Sequence, residues 1–453
     1  MRHGLVTPAQ LALITDLYEL TMAAAYFSQR TADRTATFDL SVRSLPPQRG
    51  YLVAAGLEQA LAYLRDLRFS AEVLQQLEGT GHFRTDFLDY LAGFRFSGSV
   101  DAIAEGTVVF PPTPLVTVTA PIIEAQIVET YLLTTITFQT MIATKAARVV
   151  GASSGRQVVD FSPRRDHGPQ AGLLAARAAF IGGCIGTSNV LAGQRFEIPT
   201  YGTMAHSFIM FYPDEEEAFL AFADSYPGDP TLLIDTYDTL EGARVAVRVA
   251  RKLERSGRKL AAVRLDSGDL VTLSRAVRAI LDEAGLSDTK IFASGGLDEL
   301  TIRDMLRAGA EVDGFGVGTE LGTSGDAPSL DSTYKLVACV DRSGNEIPVI
   351  KLSTGKITLP GRKQVWRQCD GGSFVRDIIG LADEQLEGEP LLEPVMRDGI
   401  PLHEAPALVD LQRRAAKQLA ATPEETRALE KPAPYAVEIS AQLHQLVESL
   451  RRR

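Results

Sequence analysis

Between residues 158 and 319 of this 453-residue chain, a series of short apolar runs is followed each time by residues able to do chemistry. In order these are Arg164-Arg165, Thr187-Ser188, Thr203 with His206, Asp235, Asp266 with Asp269, Ser294-Gly295-Gly296 and Gly318-Thr319. The guanidinium groups of Arg164, Arg165 and Arg264 can fork onto a carboxylate or a phosphate. Glycine lets backbone amides approach an anion closely, and two glycine-rich stretches, Ala293-Ser-Gly-Gly296 and Phe315-Gly-Val-Gly-Thr319, follow consecutive runs. A carboxylate beside such a cradle repels phosphate unless it holds Mg2+ or accepts from sugar hydroxyls, which leaves those two duties for Asp235 and Asp266. Asp238 and Asp269 read instead as helix caps. The spacing predicts a site for a phosphorylated sugar, a metal and a small anionic partner, with His206 among them.

These residues need a scaffold that brings strand ends together. Candidate strands are Val158–Phe161, Gly183–Gly186, Glu197–Tyr201, Leu232–Asp235, Leu260–Leu265, Lys290–Ala293 and Val312–Val317, separated by helical stretches such as 239–255, 274–283 and 298–307. Strands that alternate with helices imply a parallel sheet, and their number favours an irregular, open α/β barrel with its chemistry at the carboxyl rim. His206 is expected on a loop beyond the strand Glu197–Tyr201. The barrel is assigned to 124–334. Residues 1–123 form a second, α+β domain, with a helix over 11–27 that carries Tyr18, completed by 335–400. There a stretch with Gly355, Gly361 and Gly371-Gly372 reads as hairpins, and 401–453 is a helical tail ending in Arg451-Arg452-Arg453.

A net charge of −11 and an isoelectric point near 5.2 argue against nucleic acid as a partner, because phosphate neutralisation needs a basic surface. The three cysteines, Cys184, Cys339 and Cys369, are far apart and form no CxxC pair, so no disulfide framework is expected and a reducing cytoplasm fits. Asp16 and Glu19 interrupt the apolar pattern of the first twenty residues, against a secretory leader. The most apolar region, 171–193, contains Arg177 and several glycines and reads as a buried helix and strand, not a membrane span.

Seven stretches together resemble the nicotinate phosphoribosyltransferases: Thr15-Asp-Leu-Tyr-Glu-Leu20, Phe161-Ser-Pro-Arg-Arg-Asp-His-Gly-Pro169, Gly186-Thr-Ser-Asn189, Gly202-Thr-Met-Ala-His-Ser207, Ile234-Asp-Thr-Tyr-Asp238, Arg264-Leu-Asp-Ser-Gly-Asp269 and Gly316-Val-Gly-Thr319. The resemblance spans nearly the whole chain in order. It implies transfer of a phosphoribosyl group from 5-phosphoribosyl-1-pyrophosphate to nicotinate, with ATP as co-substrate and Mg2+ as cofactor, in a homodimer with shared sites. Carried over position by position, His206 is the histidine phosphorylated from ATP, and Phe161 and Tyr18 sandwich the pyridine ring, the tyrosine from the other subunit. Arg264 and Thr203 hold the carboxylate with Arg164 beside them, and Ser188 lines the ring pocket where nicotinamide-using relatives place an aspartate. Asp266 takes the ribose hydroxyls and Asp235 the magnesium and pyrophosphate. Arg165, Gly295, Gly296, Gly318 and Thr319 take the phosphoribosyl phosphate. Asp166 stands where the family pattern leads one to expect a small residue. The rival assignments are a nicotinamide or quinolinate phosphoribosyltransferase and a non-catalytic phosphosugar-binding protein.

Overall fold

The computed structural model describes residues 6–352 and 358–452, so Gly355 and Arg453 lie outside the described residues. The chain divides into two compact units, residues 1–144 with 329–453, and residues 145–328. The sequence reading puts these boundaries near 123 and 335 and sets 401–453 apart. The observed division falls inside the helix Glu129–Ala152. It groups the C-terminal segment with the first unit, because Ala436–Ile439 adds a parallel strand beside Ser373–Leu381.

In the first unit Thr35–Val42 sits inside an antiparallel seven-stranded sheet, paired with Ser332–Val340 on one side and Pro114–Pro121 on the other. Its β-branched and apolar residues suit a strand buried on both faces. The one acid on it, Asp39, accepts from Thr117 at 2.7 Å and pairs at 2.8 Å with the buried Lys363. Tyr18 lies on the helix Leu17–Ser28. The single helix expected over 11–27 is broken: a 3-10 turn, Pro8–Leu13, precedes it and Asp16 is its N-cap.

The second unit carries six parallel strands: β1 (Gln157–Asp160), β2 (Gly186–Thr187), β3 (Thr231–Leu233), β4 (Ala262–Leu265), β5 (Lys290–Ser294) and β6 (Gly314–Val317). They are ordered β2-β1-β6-β5-β4-β3, with helices in the connections. The helix Thr239–Arg255 shows why: Val245, Val249 and Leu253 recur every fourth residue and are buried, while Arg244, Arg248 and Arg251 stay exposed. Of the seven expected strands, Glu197–Tyr201 does not form. Glu197 takes a left-handed conformation at φ 55° that closes the helix Val190–Phe196, and Pro199 has no N–H to donate. All that remains is a single parallel bridge between Thr187 and Thr200.

Among the described residues no helix is long and apolar enough to cross a membrane. All three cysteines are free.

A buried ionic cluster ties the second unit together. Glu299, in the first turn of the helix Glu299–Arg307, accepts from Lys145 at 2.5 Å and from Arg148 at 2.9 Å, all three side chains being nearly inaccessible. Asp326 adds a second carboxylate to Lys145 at 2.7 Å. Removing one member of such a cluster leaves an uncompensated buried charge, at a cost of about 3–5 kcal/mol. Glu299→Ala should therefore lower the unfolding free energy by that order in urea titrations, whereas a loss well below 1 kcal/mol would show that water reaches the two cations.

Candidate active site

The carboxyl ends of β3, β4 and β5 hold one connected polar network. Arg264 and Asp266 lie two residues apart, so both project from the same face of β4 and its continuation. Arg264 donates from Nη2 to Asp266 Oδ1 at 2.5 Å, from Nε to Ser294 Oγ at 2.8 Å and from Nη1 to Thr203 Oγ1 at 3.0 Å. The Ser294 hydroxyl also donates to Asp266 Oδ1, at 2.5 Å. Burial pushes the Asp266 carboxyl up, but the Ser294 hydroxyl and the charges of Arg264 and His206 outweigh it and hold the group below the ordinary carboxylate range.

Asp235, which follows β3, is buried and fixes the next strand end. Its Oδ2 accepts from the Asp266 backbone N–H at 2.8 Å and from the Ser267 hydroxyl at 2.6 Å. Its Oδ1 is also buried and has no protein partner, which leaves one carboxylate oxygen available to a cation. Among the described residues no three His, Cys, Asp or Glu side chains group to hold a metal ion. A divalent cation here would take Asp235 and complete its shell with phosphate oxygens and water, as Mg2+ commonly does.

His206 opens the short helix His206–Phe211 and does not sit on an irregular loop beyond a strand. Its Nδ1 lies 3.1 Å from Thr236 Oγ1 and its Nε2 faces Asp266 Oδ2 at 3.9 Å, the side chain being 39% exposed. The ring is thus held on one nitrogen and accessible at the other.

Phe161 continues from β1, with the Arg264 guanidinium 5.5 Å from its ring centroid. The segment after it is built on Asp160, which takes the Ser162 N–H at 2.9 Å and the Thr187 hydroxyl at 2.7 Å. Arg164 and Arg165 are exposed on the turn that follows, and Ser188 is half-buried just past β2, its N–H bonded to the Asp160 carbonyl at 2.9 Å.

The two glycine stretches divide by cause. A side chain at Gly295 would collide with the Asp266 carbonyl, and its φ is +90°, so its lack of a side chain is required by the strand end itself. Gly296 has φ +62° but faces open space, and a Cβ on Gly318 would come no nearer than 3.4 Å to the Phe161 carbonyl. Those two leave room for a ligand. Thr319 is exposed at the start of the short helix Thr319–Gly322. Asp238 and Asp269 cap helices as expected, accepting from the N–H groups of Glu241, and of Val271 and Thr272.

The structure thus gathers Phe161, Thr203, His206, Asp235, Arg264 and Asp266. Tyr18, in the first unit, is 48% exposed, and burial together with the charge of Glu129 pushes its hydroxyl pKa up. Two supporting residues, Thr236 and Ser267, escaped the sequence reading, and Ser294 entered it only as part of a glycine-rich stretch. Each follows directly on a predicted strand or carboxylate, so adjacency was their signal, but a hydroxyl there is too common to be singled out.

Three family models match the chain: the nicotinate phosphoribosyltransferase (NAPRTase) N-terminal domain over residues 13–137, the nicotinate phosphoribosyltransferase (NAPRTase) family over 156–353 and the nicotinate phosphoribosyltransferase C-terminal domain over 385–447. The chain is 50% identical over 422 residues to the nicotinate phosphoribosyltransferase pncB2 of Mycobacterium tuberculosis, covering 92% of this chain and 89% of the relative. It is 39% identical over 460 residues to the nicotinate phosphoribosyltransferase of Bacillus subtilis, covering 95% and 93%. The crystal structure of human nicotinic acid phosphoribosyltransferase superposes with a TM-score of 0.86 at 28% identity, covering 96% of this chain and 99% of that one.

Asp166 sits beneath the arginine turn, its Oδ2 taking the Ser162 hydroxyl at 3.1 Å and its Oδ1 buried without a partner. Burial, with the charge of Asp160 adding to it, pushes its carboxyl up to about 6. An acid whose folded pKa is raised binds a proton on folding, so its contribution to stability falls as pH rises from about 3.9 through about 6 and is level above. Asp166→Asn removes that penalty: its gain in melting temperature over wild type should be larger at pH 8 than at pH 5. An equal gain at both would mean that Asp166 is ionised throughout.

Proposed function

The chain belongs to the nicotinate phosphoribosyltransferase family and joins nicotinate to 5-phosphoribosyl-1-pyrophosphate, giving nicotinate mononucleotide and pyrophosphate, and we propose that the network at the ends of β3, β4 and β5 carries out this transfer. The observation that supports it most is the state of Arg264. A guanidinium has five N–H donors. Ser294, Thr203 and Asp266 take three of them, which leaves two for the carboxylate of nicotinate beside the Phe161 ring. Ser188 puts no second carboxylate near the substrate's own charge.

The barrier is departure of pyrophosphate from the anomeric carbon through a cation-like state. As the C–O bond to pyrophosphate breaks, the pyridine nitrogen lone pair forms the new C–N bond. That nitrogen carries no proton, so no general base is required and positioning dominates. Asp266, held ionised, accepts from the ribose hydroxyls. Gly296 and Gly318, with Arg165 and Thr319 at the rim, receive the phosphate. Asp235 would hold Mg2+ through its free Oδ1, where the cation would supply positive charge toward the leaving pyrophosphate. His206 takes the γ-phosphoryl group of ATP on its ring, with ADP leaving, and its added negative charge beside Asp266 couples ATP hydrolysis to substrate binding and product release.

A second copy of the chain supplies Tyr18 to the open face of the nicotinate ring. Exposed apolar side chains support a homodimer: Leu17 and Tyr18 in the first unit, and Val190, Leu191, Met210 and Phe211 in the second. The sheet is an open barrel with its seam between β3 and Thr200, and the His206–Thr236 hydrogen bond laces across it. A reducing cytoplasm suits three free cysteines.

Incubation with γ-labelled ATP should leave an acid-labile, base-stable phosphate on the protein that His206→Ala abolishes while some ATP-independent transfer survives. Label that persists in the variant would remove the histidine from this role. Arg264→Ala should lower kcat/KM for nicotinate roughly ten- to a hundredfold, as befits a charge-assisted pair of about 1.5–3 kcal/mol, and lower nicotinamide turnover less. Equal losses on acid and amide would mean that Arg264 acts only through Asp266.

A further inference from the structure

Phe292 stands in register with Arg264 on one side and Gly314 on the other, while Ser294 pairs with Gly316. Register partners in a parallel sheet project from the same face, so all five belong to the face that carries the site. On this face β6 presents only glycines, and aromatic rings fill the vacated space. The Phe292 ring comes 2.9 Å from where a Cβ on Gly314 would stand and 3.0 Å from one on Gly316. Phe161 packs above it, ring centroids 5.8 Å apart and tilted by 48°.

On its other side Phe292 lines a cavity of about 500 Å³ at the amino ends of β1, β5 and β6, with Gln157, Lys290, Val312 and Gly314 also in its wall. The cations around this cavity are already engaged. Arg156 donates to the Val312 carbonyl at 2.7 Å, Arg278 to the carbonyls of Thr289 and Leu286 at 2.7 and 2.8 Å, and Lys290 pairs with Asp313 at 3.2 Å. This is therefore a poor site for an anion of its own. What connects it to the chemistry is a single aromatic ring.

We infer that Phe292 is a specificity-determining residue, the floor of the pyridine site that separates it from the cavity at the amino ends of the strands. The inference rests on Phe161 and Arg264 holding nicotinate as proposed above. The ring nitrogen must face the anomeric carbon and the carboxylate on carbon 3 must face Arg264, so carbons 4 and 5 are left facing the interior of the sheet. Phe292 then excludes pyridine-3-carboxylates with a chain at either carbon, and its removal lets that chain pass into the cavity.

The test uses the full chain with donor, Mg2+ and ATP, and reads kcat/KM by pyrophosphate release for nicotinate and for its 4- and 5-methyl and 4- and 5-butyl derivatives. Wild type should reject the butyl acids by roughly a hundredfold or more, the scale on which a closed apolar pocket excludes extra methylenes. Phe292→Ala should cut that discrimination to about tenfold or less at one of the two positions, with Phe292→Leu in between. Phe292→Ala that turns over nicotinate and still rejects both butyl acids as wild type does would overturn the inference. Should Phe292→Ala fail to fold, unchanged discrimination in Phe292→Leu would overturn it equally. Phe161→Ala separates the underlying reading: an unchanged KM for nicotinate there would dismiss the ring platform, whatever the Phe292 variants do.

Discussion

The pairing of Arg264 with Asp266 is the interaction on which the site depends. An enzyme that joins an anionic acid to a donor bearing several phosphates must gather negative charge at a few strand ends without scattering it. A lone guanidinium would attract any anion, and a lone carboxylate would repel both substrates. Set two residues apart on one strand face, with Ser294 bonded to both, they form a locally neutral unit with donors to spare on one side and an acceptor on the other. Asp235 makes the arrangement rigid by fastening the Asp266 backbone and Ser267 from the neighbouring strand end. In the function proposed above, positive charge is thereby aimed at the carboxylate of one substrate and hydrogen-bond acceptance at the sugar of the other.

Much of this could be read from residue order. Apolar runs ending in Asp, Arg or Gly sit where a parallel sheet collects its chemistry: β4 and β6 fall inside the predicted segments, and β1, β3 and β5 overlap theirs with one residue beyond. β2 is displaced, and only Gly186 of its predicted run is in it. The caps at Asp238 and Asp269 were legible because an acid ahead of an amphipathic helix has a local duty that needs no tertiary knowledge. The segment at 197–201 misled because its composition suits a strand, while Pro199 removes a donor and Glu197 has already turned the chain. Periodicity cannot see a missing N–H.

What the sequence could not convey is which neighbour each side chain meets. Thr236 holds the His206 ring over a separation of thirty residues, and Ser294 serves Arg264 over the same distance. No spacing rule encodes such contacts, which depend on the order β2-β1-β6-β5-β4-β3. Asp166 was visible as a departure from the family pattern. Its meaning, a half-paired carboxyl beside the fully buried Asp160, needed three dimensions.

Gly295 and Gly296 are alike on paper, adjacent and both at positive φ, yet one lies against the Asp266 carbonyl and the other borders empty space. Evolution therefore meets two different filters at neighbouring codons. A side chain at the first is eliminated by cellular quality control before any substrate is met, because it forces strand ends apart. A side chain at the second bears backbone strain but no collision, so under the phosphate-binding role proposed for Gly296 it is judged chiefly by pathway flux, and only when the donor sugar is scarce. Drift in a lineage that imports its pyridine nucleotides would thus erode the second glycine first, leaving a folded protein that has lost its trade.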